Sequence, residues 1–228
     1  MATGDALLRF PKRLATGTRP RYPAPNKDAA NGDETAATRE PAMILRFFRR
    51  NDGRETIQRL YGAIVAHSRD TAFYTDFAVP DTIEGRFEMI LLHNFLLFHR
   101  LKSESEQRRE LGQRVFDAFC TDMDANLREM GVGDLTVPKK MKRVAEAFYG
   151  RVSVYDAALA SDDAQELDQA VLRNVYASNN ERLPEARALA AHVRSMATAL
   201  EAVPFDTFAQ GELPLPSVEP RVRENTAP

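Results

Sequence analysis

The sequence predicts an all-α protein: one helical domain of about six helices between two extensions that are expected to be disordered. Apolar residues recur at helical spacing through the middle of the chain, and no alternating strand pattern bounded by Asn-Gly or Asp-Gly turns interrupts them. With 228 residues, of which 43% are hydrophobic and 28% charged, the chain can bury one sizeable core. We expect that core to lie within residues 43–202.

The N-terminal extension, residues 1–42, differs from this domain in composition. It is rich in Ala, Thr, Pro and Arg and has no apolar period, so we expect it to be disordered. Up to Lys27 it carries six basic residues and one acidic residue, a weak likeness to a mitochondrial targeting segment. The alternative is that Met43 is the natural start and that the preceding residues are an upstream extension.

The C-terminal extension, residues 203–228, contains five prolines and shows no periodicity. Such a composition predicts a Pro-rich tail rather than a further helix. We expect it to pack only briefly, through Phe205 and Phe208.

The first two predicted helices cover residues 55–69 and 81–101. The second is apolar nearly all round, which predicts a central position in the core. Asp81 and Glu84 have the spacing of a capping box and are expected to begin it. Its longest apolar run, MILLHNFLLF, has ten residues, whereas a membrane-spanning helix needs about 20.

The third predicted helix begins after Ser103, which has capping-box spacing to Glu106, and it ends at Gly131. Cys120 lies on its apolar side, as expected of a small buried side chain. The fourth helix begins near Pro138, a residue that the first turn of a helix tolerates. These signals predict a helix–loop–helix joint.

Two further helices complete the predicted domain. The fifth begins at Asp163, three residues before Glu166, in a typical helix-start pattern. The sixth begins at Pro184 and ends near Ala202.

Four basic residues mark the start of the fourth helix and are called the basic cluster below: Lys139, Lys140, Lys142 and Arg143. At about 100° per residue they surround the buried face of the helix, with Tyr149 and Arg151 at the edges. A solvated helix face is the ordinary explanation for such charges. However, exposed cations at a helix start oppose the helix dipole by about 0.3–1 kcal/mol each. We therefore predict that the cluster, together with Tyr149 and Arg151, binds a partner.

Other polar residues are weaker candidates for partner binding. Arg86, His93 and Arg100 recur every seven residues on the second helix, and we expect them to mark its solvent-facing edge. Of these, Arg86 and His93 are candidate partner-binding residues. On the third helix Asp124 and Arg128 have the i,i+4 spacing of a surface ion pair and are candidates of the same kind.

The sequence lacks the common catalytic and metal-binding motifs. The patterns GxSxG, GxxxxGK[ST], GxGxxG and HExxH and the EF-hand loop are absent, and a single cysteine excludes an internal disulfide. The histidines do not have ligand spacing: His67, His93, His99 and His192. We predict no enzymatic activity, no metal and no cofactor. The net charge of −2 gives no general attraction to nucleic acid, although PKKMKR keeps a helical adaptor or nucleic-acid-binding regulator as the alternative.

Three stretches are together similar to a known family. They read FYTDFAVPDTIEGRFEMILLHNFLLFHRL from Phe73, DMDANLREMGVGDLTVPKKMKRVAEAFYGR from Asp122 and LRNVY from Leu172. In these stretches the chain resembles the ubiquinol-cytochrome c chaperone family, with a likeness that extends over residues 43–202. The resemblance implies an all-helical, non-enzymatic protein that binds newly made cytochrome b and promotes assembly of the cytochrome bc-type complex.

The resemblance also implies where such a protein works. Mitochondrial members associate with the translating ribosome and act with a small partner subunit. We expect this chain to be cytoplasmic and peripheral to the inner membrane of a bacterium, with the mitochondrial matrix as the alternative. The basic cluster would then suit ribosomal RNA or an anionic membrane surface.

A chaperone for a hydrophobic client needs exposed apolar side chains. The loop TAFYTDFAVPD offers Phe73, Tyr74 and Phe77, whose spacing also suits a buried cap. The segment ILRFFRR offers candidates for a membrane-surface contact: Arg46, Phe47, Phe48, Arg49 and Arg50.

A chain that starts at Met43 should keep the thermal midpoint of the full chain, because residues 1–42 have no apolar period with which to extend the core. Thermal unfolding followed by circular dichroism measures this. A large drop in the midpoint would contradict the prediction and would mean that the segment packs on the domain.

Overall fold

The computed structural model describes residues 42–218, with side chains described from residue 53 onward. These residues form eight α-helices and one short 3-10 helix, and no strand lies among them, which confirms the all-α prediction. The α-helices are α1 (Ala42–Ser68), α2 (Thr71–Thr75), α3 (Ile83–Leu101), α4 (Glu106–Glu129), α5 (Val137–Ala160), α6 (Ala164–Val175), α7 (Leu183–Glu201) and α8 (Phe205–Ala209). The 3-10 helix, Asn180–Arg182, precedes α7.

Helix α3 lies at the centre of the fold, as its composition predicts. It contacts α1, α4, α5, α6 and α7. Fourteen of its nineteen residues are buried, so its whole circumference is covered rather than one face. Among the described residues no helix combines the length and the hydropathy needed to cross a membrane.

The predicted capping boxes at α3 and α4 are wrong. Thr82 is the N-cap of α3, where its side chain accepts the Gly85 backbone N–H, whereas Asp81 forms an ion pair with Arg86 at 2.6 Å. Helix α4 begins at Glu106 without a side-chain cap. Thr82 rather than Asp81 is the N-cap of α3, because the backbone is still extended at Thr82 and becomes helical after it.

Gly85 explains why the loop before α3 can fold tightly against the helix. A Cβ atom at this position would lie 1.9 Å from the carbonyl oxygen of Pro80, so only glycine allows the approach.

The joint between α4 and α5 closes as predicted. Gly131 has a φ of +80°, in the left-handed region, and the backbone N–H of Val132 donates to the carbonyl oxygen of Leu127 at 3.0 Å. Pro138 lies in the first turn of α5. Two helices of 24 residues each therefore meet at a short loop.

An aromatic cluster joins α3, α4 and α5. The rings of Phe116 and Phe148 stack with centroids 4.0 Å apart, and Phe98 meets Phe148 edge-on at 5.0 Å. All three side chains are buried. The centre of the core is therefore held by ring packing between three helices.

Helix α1 is longer than the predicted 55–69, because it begins at Ala42 and continues through Gly53. The run Asn51, Asp52 and Gly53 resembles a helix break in the sequence but does not interrupt the helix. The side chains of the membrane-surface candidates lie outside the described residues: Arg46, Phe47, Phe48, Arg49 and Arg50. Residues 1–41, to which the disorder and targeting predictions apply, also lie outside them.

Residues 203–218, called the C-terminal segment below, pack on the core further than the sequence predicts. Phe208 in α8 and Val218 are buried, and the Thr56 hydroxyl donates to the carbonyl oxygen of Ala209 at 3.1 Å. The prolines at 204, 214 and 216 thus belong to a chain that follows the helical surface. Residues 219–228 lie outside the described residues.

Replacing Phe148 by alanine should destabilise the fold by about 3–5 kcal/mol, because the change removes a stacked, fully buried ring and leaves a cavity among α3, α4 and α5. Urea denaturation followed by circular dichroism measures the loss. Lys142→Ala on the exposed face of the same helix is the control and should change stability little. If the two variants had equal free energies of unfolding, the aromatic cluster would not stabilise the fold by this amount.

Candidate partner-binding surface

The α4–α5 joint exposes two large apolar side chains. Leu135 is 90% exposed and Met130 is 55% exposed. Neither residue is among the candidates that the sequence patterns predict. One sequence signal for an exposed side chain was available. It is a leucine between Gly133 and Pro138, in a loop too short to fold back on the core.

The basic cluster lies directly after this apolar tip. Lys139, Lys142 and Arg143 are exposed, as the helical spacing predicts, and Lys140 is half-buried. The first turn of α5 contains no acidic residue. Lys142 is 79% exposed and lies 3.7 Å from Glu146, a separation at which an exposed pair contributes little. The joint therefore combines exposed aliphatic side chains with positive charge, and its binding role stays a prediction.

Arg128 holds the joint in shape. Its guanidinium pairs with Asp124 at 2.6 Å, which confirms the predicted i,i+4 pair, and it also reaches Asp134 in the loop. The hydrogen bond from Arg128 to Asp124 raises the pKa of the guanidinium further. Asp124 and Arg128 thus act first on each other and on the loop.

The placement of Arg151 and Tyr149 on this exposed surface is wrong. Arg151 forms a two-pronged ion pair with Glu88 of α3, with its Nε donating to Oε2 at 2.6 Å, and both side chains are about one-tenth exposed. Tyr149 is half-buried, and its hydroxyl donates to Gln113 of α4 at 2.9 Å. Neighbouring helices cover these positions, because α5 is in contact with α3 and α4 along the same side.

The candidate aromatic loop is a buried cap, the alternative that its spacing also allowed. Phe73 and Phe77 are buried, and the hydroxyl of half-buried Tyr74 donates to the carbonyl oxygen of Ser68 at 2.9 Å. Asp70 caps α2 and Tyr176 donates to the carbonyl oxygen of Phe77 at 2.7 Å, so the loop is tied down at both ends. These aromatic rings do not form an exposed binding edge.

The predicted solvent-facing edge of α3 is wrong at its centre. His93 is fully buried, and Arg100 is only 10% exposed, where it pairs with Glu104 at 2.8 Å. Arg86 alone of the three is exposed, and it pairs with Asp81. The reason is that α1, α7 and the C-terminal segment close over the side of α3 that a period of seven marks as polar.

Three histidines that are far apart in sequence meet around Phe73. His93 Nδ1 donates to the carbonyl oxygen of Met89 at 2.7 Å, and His93 Nε2 lies 2.8 Å from Nδ1 of His67. His67 Nε2 donates to the carbonyl oxygen of Pro216 at 2.9 Å, and His192 contacts the Phe73 ring. Only tertiary packing brings them together, so sequence spacing gave no signal.

Burial makes two of these histidines, His93 and His192, weaker bases. It lowers the pKa of His93 to about 3, with the charge of His67 as a further cause, and it lowers the pKa of His192. Among the described residues no group of three or more His, Cys, Asp or Glu side chains could hold a metal ion. His67 and His93 form a hydrogen-bonded link between α1, α3 and the C-terminal segment.

Comparisons with known proteins agree with this architecture. A family model described as Ubiquinol-cytochrome C chaperone matches residues 75–215. The solved structure titled "Crystal structure of the Cbp3 homolog from Brucella abortus" is similar with a TM-score of 0.69 and 41% identity, covering 77% of this chain and 97% of that one.

Two curated relatives are more distant. Both are called ubiquinol-cytochrome c reductase complex assembly factor 1. The Xenopus laevis protein is 25% identical over 46% of this chain and 52% of its own length, and the Drosophila melanogaster protein is 25% identical over 67% and 61%. The chain thus spans little more than half the length of these relatives.

Lowering the pH from 7 to 5 should destabilise the fold, and His93→Gln should reduce that effect. Folded His93 stays neutral down to a pKa of about 3, whereas the unfolded residue binds a proton near 6.5. Between these values the unfolded state holds one more proton, so stability should fall by up to about 1.4 kcal/mol per pH unit from this residue.

Urea denaturation of both proteins at a series of pH values measures the slopes. The variant is expected to be less stable at pH 7, and the test is the slope rather than the starting value. Parallel loss of stability in the two proteins would show that His93 does not titrate as a buried base.

Proposed function

The chain belongs to the ubiquinol-cytochrome c chaperone family, and from that membership we propose that it assists assembly of the ubiquinol–cytochrome c reductase complex. The observation that carries the proposal is the match to the Cbp3 homolog from Brucella abortus, of which the chain covers 97% at 41% identity. The names of the Xenopus and Drosophila relatives support the same assembly role.

The proposed client is newly made cytochrome b. The family resemblance implies this client, and its apolar membrane helices would need shielding before they pack with partner subunits. A folded helical body without a bound group can give such shielding through its surface alone.

The proposed action is binding without catalysis. Cys120, the single cysteine of the chain, is half-buried, and burial raises the pKa of its thiol to about 12. The thiol therefore stays protonated at neutral pH and is a poor nucleophile. His67 and His93 are engaged in the hydrogen-bonded link to the C-terminal segment.

We propose a cytoplasmic location at the inner membrane of a bacterium, close to the ribosomes that make the client. The 41% identity with the Brucella abortus protein, against 25% with the Xenopus and Drosophila proteins, supports the bacterial setting over the mitochondrial matrix. The resemblance implies a small partner subunit only for mitochondrial members. The need for this subunit therefore depends on whether the setting is bacterial or mitochondrial.

Deleting the gene should lower the amount of ubiquinol–cytochrome c reductase complex while leaving the cytochrome b transcript unchanged, because a chaperone acts after translation. Native gels and quantitative PCR measure the two quantities, and a plasmid copy of the gene should restore the complex. Succinate dehydrogenase serves as the control and should stay at its normal level.

Crosslinking in pulse-labelled cells tests the client directly. Newly made cytochrome b should be recovered with the chaperone, and an unrelated polytopic membrane protein should not. A normal complex in the deletion strain would overturn the assembly role, and a fall in the transcript would favour the nucleic-acid-binding regulator instead.

A further inference from the structure

We propose that the α4–α5 joint docks the protein on an anionic lipid bilayer, with Leu135 and Met130 entering the headgroup region and the basic cluster contacting lipid phosphates. This inference rests on the proposed location at the inner membrane and deepens it, because that location assigns no face of the chaperone to lipid. It concerns residues 130–143, at the end of the α4–α5 helix pair.

Exposed apolar side chains are concentrated at the joint. Among the described residues three large hydrophobic side chains are more than half exposed: Ile83, Met130 and Leu135. Two of the three lie within six residues of each other in this one loop. Leu135 makes no contribution to the core at 90% exposure, so its side chain is available to a partner.

The joint also carries an excess of positive charge. Residues 128–143 contain five basic and two acidic side chains, in a chain whose net charge is −2. One of the two acids, Asp134, is already paired with Arg128. Lys139 and Arg143 have no salt-bridge partner within residues 53–218. Cations at the start of a helix oppose the helix dipole and so do not stabilise α5. Lipid phosphates would neutralise their charge.

The type of apolar residue favours a bilayer over RNA. Nonspecific single-stranded nucleic acid binding uses aromatic rings on which bases stack. The exposed side chains of the joint are aliphatic, and the nearest tyrosine on α5, Tyr149, is half-buried with its hydroxyl bonded to Gln113. Aliphatic side chains next to cations are the combination that surface-bound membrane segments use.

The joint is also held in place by ion pairs at the end of the α4–α5 helix pair. It is the loop between two antiparallel neighbours of 24 residues each, and Arg128 fixes it through Asp124 and Asp134. A loop held at the tip of a helix pair can touch a bilayer without a change of fold.

Vesicle flotation with the full chain tests the proposal. Wild-type protein should float with phosphatidylcholine vesicles that contain phosphatidylglycerol, should bind pure phosphatidylcholine much less, and should dissociate as salt rises, because screening acts over about 8 Å at physiological ionic strength. Replacing Lys139, Lys142 and Arg143 by glutamine should weaken binding on the order of 100-fold, at about fivefold per cation. Leu135→Ser should weaken it about tenfold.

The matched control replaces Arg54, Arg59 and Arg187 by glutamine. These residues are exposed and distant from the joint in sequence, and the variant has the same net charge as the joint variant. It should keep wild-type binding, and circular dichroism should show wild-type helix content for all variants.

Three results would overturn the proposal: no binding of wild-type protein to anionic vesicles, equal loss in the control and joint variants, or full binding by Leu135→Ser. The proposal would also be overturned if the joint variant lost binding to RNA but bound vesicles as well as the wild-type protein does. That result would assign the joint to nucleic acid. The assay contains no client, so its outcome is separate from that of the gene deletion.

Discussion

The fold depends on burying α3 on every side. Beyond its first turn such a helix has few solvent-facing positions, so the polar side chains that it buries need partners within the protein. Glu88 meets Arg151 of α5, and His99 meets Asp156 of α5 at 2.6 Å. The Asn94 side-chain amide donates to the carbonyl oxygen of Ile90 at 2.9 Å. The bonds of Glu88 and His99 fix how α5 sits on α3, since each joins the two helices through a buried side chain.

Much of the helical architecture could be predicted because its signals are local. The apolar circumference of α3, the cap at Asp163 and the left-handed Gly131 each depend on residues within a few positions of one another. What could not be predicted depends on distant contacts. The burial of Arg151, for example, requires Glu88, which lies 63 residues away, and no helical wheel of α5 contains that residue.

The candidate surface also has one part that could be predicted from the sequence and one part that could not. Exposure of the basic cluster follows from the period of α5 and was predictable, whereas Leu135 lies in a loop, where no period exists. The aromatic loop from Phe73 to Phe77 shows the reverse case. Its spacing allowed both an exposed edge and a buried cap, and contacts with α6 and α1 decide between them. Sequence reasoning therefore located the charged part of the surface and misplaced its apolar part.

The histidine link to the C-terminal segment has a consequence for how the chain can open. It runs from the carbonyl oxygen of Met89 through His93 and His67 to the carbonyl oxygen of Pro216, and so ties Pro216 to a residue 149 positions earlier in the chain. Because His93 is fully buried in α3, releasing Pro216 would break a series of hydrogen bonds that ends inside the core. The C-terminal segment and the central helix are thus mechanically coupled through two imidazole rings.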